Sequence, residues 1–199
     1  MRAATEKAPD AATAPQPARH SVAPRPGSVE GLVAGLKDEL GGEWPPRLYR
    51  ERVLTLRTRS HKVPAAQKNA AVEVQHTLLG IELKVGRRRL SCPDLATARY
   101  LSVFARAGVS EVAVPYDITK ISRLADELES AWHRMLLLAD RLTEGRAPAA
   151  RKRLRSAAVK EVRREIEEAG AGTPVPQFRQ DTRQRPRASQ ESEPGGRRK

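Results

Sequence analysis

Apolar residues recur along this chain in two rhythms, every third or fourth position and every second position, and the switches between them mark its elements. In residues 28–40, Val29, Leu32, Val33, Leu36 and Leu40 fall on one side of a helix that Gly41-Gly42 ends. Residues 44–59 carry both patterns. Pro45-Pro46 would open a helix bearing Tyr49, Val53 and Leu56, whereas Val53-Leu54-Thr55-Leu56 suits a strand, which is the preferred reading. Residues 71–85 alternate, with Ile81, Leu83 and Val85 on one side and Glu82 and Lys84 on the other. Gly86-Arg87 then turns the chain into a short return strand through Leu90, a hairpin tipped by Arg87-Arg88-Arg89.

Ser91-Cys92-Pro93-Asp94 has the spacing of a capping box and predicts a helix from there to about Ala107, stopped by Gly108. That helix is apolar nearly all round, through Leu95, Ala98, Tyr100, Leu101, Val103 and Phe104, as suits burial on a sheet. Val112-Ala113-Val114 reads as a brief strand, reached by a right-handed crossover onto the hairpin's sheet. After Asp117, a capping residue, Ile121, Ala125, Leu128, Trp132, Met135, Ala139 and Leu142 recur at alternating spacings of four and three in a helix over residues 118–143. This heptad seam either packs internally or, left uncovered, predicts a homodimer or a helical partner through Ile121, Leu128, Trp132, Met135 and Leu142. Gly145 and Pro148 stop one helix and start another, in which Leu154, Ala158, Val162 and Ile166 form a narrow stripe ending at Gly170.

These elements predict an α+β fold, with a small sheet of hairpin plus crossover strand flanked by helices and followed by long C-terminal helices. The domain is expected over residues 28–145, with 146–171 as an appended basic helix. Residues 1–27, rich in Ala and Pro, and the basic tail 172–199, rich in Pro, Gln, Arg, Ser and Gly, hold too little apolar surface to offset the entropy of ordering and are expected to be disordered.

Charge changes the picture once it is divided along the chain. The formal net charge is +13, with 12 Lys/Arg against 7 Asp/Glu in residues 1–70, 10 against 10 in 71–145 and 15 against 7 in 146–199. A neutral centre between basic flanks points to polyanionic partners, first among them nucleic acid, DNA or RNA, whose counterions are released when Lys or Arg neutralises phosphate. One cysteine, Cys92, excludes an internal disulfide and reads as a small apolar residue at a strand end. His20, His61, His76 and His133 have no ligand spacing, so no zinc site is predicted, no cofactor is expected, and a metal held by carboxylates stays open. With no apolar run of signal or membrane-spanning length, membrane insertion is not expected and a cytoplasmic location is.

Two groups of basic residues suit phosphate: the hairpin tip, with Arg50, Arg52, Arg57, Arg59, Lys62 and Lys68 as companions, and the start of the last helix, with Arg151, Lys152, Arg153 and Arg155. The second half of that helix is acidic, through Glu161, Glu165, Glu167 and Glu168, an order that opposes the helix dipole. Aromatic residues make up 4% of the chain and do not cluster in sequence, which disfavours base-stacking platforms of the RRM or OB kind. No glycine-rich phosphate loop, supported Ser-His-Asp arrangement or redox cysteine pair is present.

Ile81-Glu82-Leu83-Lys84, then Arg89-Leu90-Ser91, a helix, Gly108 and Glu111-Val112-Ala113-Val114 together resemble the PD-(D/E)xK nuclease superfamily, in its small VRR type, over residues 73–114. The resemblance implies Glu82 as a Mg²⁺ ligand, Lys84 as the group assisting hydrolysis and Glu73 as the earlier acidic residue of the metal site. A solvated strand face would account for the same residues. Three functions therefore stay open: a nucleic-acid-associated accessory protein gripping backbone through its basic segments, an assembly module using residues 121–142, and a Mg²⁺-dependent nuclease.

Overall fold

The computed structural model describes residues 28–64, 66 and 70–173; Lys68, residues 1–27 and the tail beyond Thr173 lie outside that description. The fold is α+β, in the order α1 (Val29–Leu40), a 3-10 turn (Gly41–Glu43), α2 (Pro45–Leu48), a π turn (Tyr49–Val53), β1 (Thr58–Lys62), β2 (Val72–Thr77), β3 (Gly80–Val85), β4 (Arg88–Cys92), α3 (Leu95–Ala107), β5 (Glu111–Pro115), α4 (Ile118–Arg141) and α5 (Pro148–Ala169). No helix among the described residues is long and apolar enough to cross a membrane.

The ambiguous stretch after Trp44 resolves mainly as helix, against the strand preferred for it. Pro45 and Pro46 occupy the first turn, where a missing N–H costs nothing. The turn then widens so that the Leu54 N–H reaches the Tyr49 carbonyl, 3.1 Å away, and both Tyr49 and Val53 point into the core. Only the end of the stretch, from Thr58, is strand.

The alternating segment is two strands, not one. Thr77 closes a turn through its hydroxyl, which donates to the Gly80 carbonyl at 3.0 Å and accepts from the Leu79 N–H at 3.3 Å, leaving Leu78 and Leu79 fully in solvent. The result is an antiparallel meander, β2–β3–β4, with Glu73 opposite Lys84 and Glu82 opposite Ser91. The expected crossover onto this sheet does not occur. β5 pairs instead with β1 in a separate two-stranded antiparallel sheet, Ser60 opposite Ala113. Helix α3 is capped by Asp94, whose carboxylate accepts from the Thr97 N–H at 2.7 Å, and not by Ser91, because Ser91 and Cys92 are held in the β4 ladder.

A single core unites these parts. α3 covers the inner face of the meander and carries Phe104 between Tyr49 and Tyr100, with ring centroids 5.4 Å from Tyr49 and 5.0 Å from Tyr100. The heptad seam of α4 is used up here: Ile121, Leu128, Trp132 and Met135 are buried and Leu142 packs against the same cluster, so these residues offer no surface to a helical partner. Nor is α5 an appendage. Leu154, Ala158, Val162 and Ile166 are buried in the core, and the chain beyond α5 returns to β1, where the Thr173 carbonyl accepts from the Ser60 N–H at 2.6 Å. The folded unit therefore extends past residue 145 to Thr173.

The charge order of α5 has its reason in this docking. Its acidic second half meets α1 and α2: Lys37 donates to Glu161 at 2.6 Å and pairs with Glu165, and the Trp44 indole N–H donates to Glu165 at 3.0 Å. These contacts compensate for carboxylates at the unfavourable end of the helix.

Candidate nucleic-acid interface

The structure sorts the basic side chains by whether a carboxylate already holds them. On α5, Arg155 grips Asp140 through two nitrogens, Nε at 2.7 Å, and Arg151 lies 3.8 Å from the same carboxylate. These guanidiniums hold the Asp140 carboxyl below its ordinary range, by hydrogen bonding from Arg155 first and by the charges of Arg155 and Arg151 after it. They join α5 to the end of α4. Lys152 and Arg153 beside them are exposed, with no carboxylate within 4.0 Å among the described residues.

At the hairpin, Arg89 lies on the outer face of the meander and reaches Glu82 at 3.4 Å. Arg87 and Arg88, in and after the turn, have no such partner among the described residues. The Gly86 N–H donates to the Ala71 carbonyl at 2.9 Å, which joins this turn to the segment entering β2. Earlier in that segment, the Ala66 N–H donates to the Ala105 carbonyl at 3.3 Å and the Val63 N–H to the Ser110 carbonyl at 2.8 Å. The hairpin turn, with Arg87 and Arg88, is thus tied to the segment entering β2, and the end of β1, with Lys62, to the C-terminal end of α3, with Arg106. Glu111, opposite Lys62, is engaged by the Ser60 hydroxyl. Arg163 from α5 also reaches the C-terminal end of α3, but its Nε donates to the Ala107 carbonyl at 3.1 Å and closes the last turn of that helix. Arg153 lies ten residues before Arg163 on α5, about 15 Å along the axis. The two predicted basic groups are therefore separate surfaces.

Glu73, Glu82 and Lys84 share the outer face of the meander, as strand periodicity requires. Glu73 on this face is half-exposed while Glu82 is mostly covered, and the charges of the face are paired: Lys84 with Glu73 at 3.7 Å, Arg89 with Glu82 at 3.4 Å. Gln75 donates to Glu73 at 2.9 Å. Among the described residues no group of three or more His, Cys, Asp or Glu side chains is placed to hold a metal ion, so Glu73 and Glu82 would need ligands from a substrate or from water.

One arrangement escaped the sequence. Tyr116, half-exposed just beyond β5, has the Arg57 guanidinium 5.3 Å and the Arg59 guanidinium 6.0 Å from its ring centre. Arg57 and Arg59 were visible as basic residues, but Tyr116 comes 57 residues after Arg59 and meets the pair only through the β1–β5 pairing, which no local pattern announces.

No known protein family, no curated protein and no solved structure matches this chain at a significant level.

Proposed function

We propose that this protein is a nucleic-acid-associated accessory protein that grips the phosphate backbone, with Arg87 and Arg88 of the hairpin turn as principal contacts and Lys62 and Arg106 as further ones. The observation that supports this best is that none of these four cations has a carboxylate within 4.0 Å among the described residues, whereas Arg89, Arg151 and Arg155 are neutralised within the chain. Arginines kept free of internal partners retain their planar donor forks for phosphate oxygens. Lys152 and Arg153 offer a second, independent contact.

The test is binding of the full chain to a short labelled duplex and a single strand across a salt series, with Mg²⁺ and with chelator. Affinity should fall steeply with salt and should not depend on Mg²⁺, and Arg87→Ala with Arg88→Ala should reduce the slope of log K against log salt by about two. Absence of binding at low salt, or an unchanged slope, would sink the proposal. Strand cleavage that needs Mg²⁺ and disappears in Glu82→Ala would instead bring the Glu73, Glu82 and Lys84 face forward as a nuclease site.

A further inference from the structure

We infer that Tyr116, with Arg57 and Arg59, is a stacking site for an unpaired base, so that the nucleic acid this protein holds is single-stranded where it crosses β1 and β5. The inference rests on the nucleic-acid reading above and adds to it a site and a strand preference.

Four features carry it. Tyr116 is 49% exposed, and its backbone is fixed at both ends: its N–H donates to the Arg57 carbonyl at 3.1 Å, Pro115 precedes it in the strand and Asp117 follows as the cap of α4. Two guanidiniums lie within cation–π distance of the ring, and neither has a carboxylate within 4.0 Å among the described residues. The neighbouring acid does not cancel them. Asp117 accepts from the Thr119 N–H and hydroxyl, at 3.1 and 2.6 Å, and lies 3.8 Å from Lys120. Ile118, the first residue of α4, is 64% exposed and adds apolar surface two residues after the ring in sequence.

A half-exposed aromatic ring with two arginines over it, neither held by a carboxylate, offers planar surface for a base, on the ring or on a guanidinium plane, next to donors for phosphate, the combination by which single strands are held without sequence readout. In a duplex both faces of every internal base are already stacked, so the ring has nothing to receive there. The ring and its arginines are brought together by the fold, which is why the low aromatic content of the sequence did not reveal the site.

The experiment uses the full chain and three probes: a single-stranded oligonucleotide containing 2-aminopurine, the duplex of the same sequence, and a single strand of equal length with abasic residues. Tyr116→Ala should weaken single-strand binding by about tenfold and abolish quenching of the 2-aminopurine, while Tyr116→Phe retains both. Duplex affinity should change less than about twofold, and the abasic strand should bind the unaltered protein about as weakly as the normal strand binds Tyr116→Ala. Equal losses on duplex and single strand, or none on either, would overturn the site while leaving backbone binding intact. Failure of the unaltered protein to bind any probe would remove both readings. Competition by polyglutamate as effective as by the single strand would assign the patch to acidic protein and refute it. A melting curve matching that of the unaltered protein separates loss of stacking from loss of fold in Tyr116→Ala.

Discussion

The hydroxyl of Tyr49 accepts a hydrogen bond from the backbone N–H of Ala113 at 2.9 Å, and the same hydroxyl donates to the Gly170 carbonyl at 2.8 Å. The Ala113 carbonyl is met by the hydroxyl of Tyr100 at 2.6 Å. Two tyrosines thereby satisfy the edge of β5 that faces away from β1, where a third strand would otherwise be needed. The expected sheet did not include this solution, since it requires side chains from the π turn and α3 to act as strand partners.

Tyr49→Phe leaves the Ala113 N–H without a partner in a buried place and the part-buried Gly170 carbonyl without one as well, and should lower stability in denaturant titration by about 1–3 kcal/mol. Burial pushes the Tyr49 hydroxyl up to about 12 from 10.0, against the opposing hydrogen bond from Ala113. A raised value means that the neutral phenol is preferred in the fold. Its contribution is therefore complete below pH 10.0 and is lost as pH rises toward 12, so alkaline unfolding should coincide with a step in tyrosinate absorbance.

Gly108 should resist substitution for two separable reasons. Its φ is 78°, a left-handed conformation, and a Cβ there would overlap the Arg163 guanidinium. Gly108→Ala is expected to destabilise by more than about 1 kcal/mol from the backbone alone. In an Arg163→Ala background the loss should shrink toward that backbone value, giving a coupling that a double-mutant cycle by chemical denaturation measures.

Acid should loosen the junction of α1 and α5. The Arg164 guanidinium holds the Glu161 carboxyl down to about 2 from 4.5, through hydrogen bonding, with Lys37 contributing a further hydrogen bond and charge. A depressed carboxyl stabilises the fold fully above pH 4.5 and loses that effect as pH falls toward 2. Contact with solvent screens the interaction and keeps it small. Melting temperatures of the parent protein and Glu161→Gln should differ at neutral pH and converge near the acid end; a constant gap would show that the charge is not the cause.

Helices α1, α3, α4 and α5 were legible because each is long enough for its apolar period to exceed local noise and because Ser28, Gly108 and Gly170 punctuate them. The strands were less so. β1 and β5 are five residues each and pair across about fifty residues of chain, and their partnership depends on packing rather than on any pattern within either. At residues 78–79 the sequence misleads in the opposite sense: two leucines look like strand interior, yet the Thr77 hydroxyl and Gly80, at φ 123°, make a turn there. The candidate surface was half legible. Composition identified arginines as the chemistry, but only the structure separates those consumed by Asp140 and Glu82 from those left free.

That turn yields a direct check on the meander. Since Leu78 and Leu79 are in solvent, Leu78→Ser together with Leu79→Ser should change stability by no more than about 0.5 kcal/mol. A single continuous strand would place one of the two in the core and cost several times as much. Equilibrium unfolding of the double variant decides between them.

The two classes of arginine should separate in a paired measurement of stability and binding. Arg155→Ala removes the main partner of Asp140, so that carboxyl should titrate closer to its ordinary value in an NMR pH series, and the attachment of α5 to α4 should weaken. Its effect on the salt slope of nucleic-acid binding should be negligible, because a guanidinium already neutralised releases little counterion on meeting phosphate. Arg87→Ala with Arg88→Ala should do the reverse, leaving the melting temperature in place and lowering the slope by about two. If instead Arg155→Ala reduced the slope and the hairpin pair did not, the phosphate-gripping surface would have to move from the hairpin end to the start of α5, with Lys152 and Arg153 as its remaining contacts.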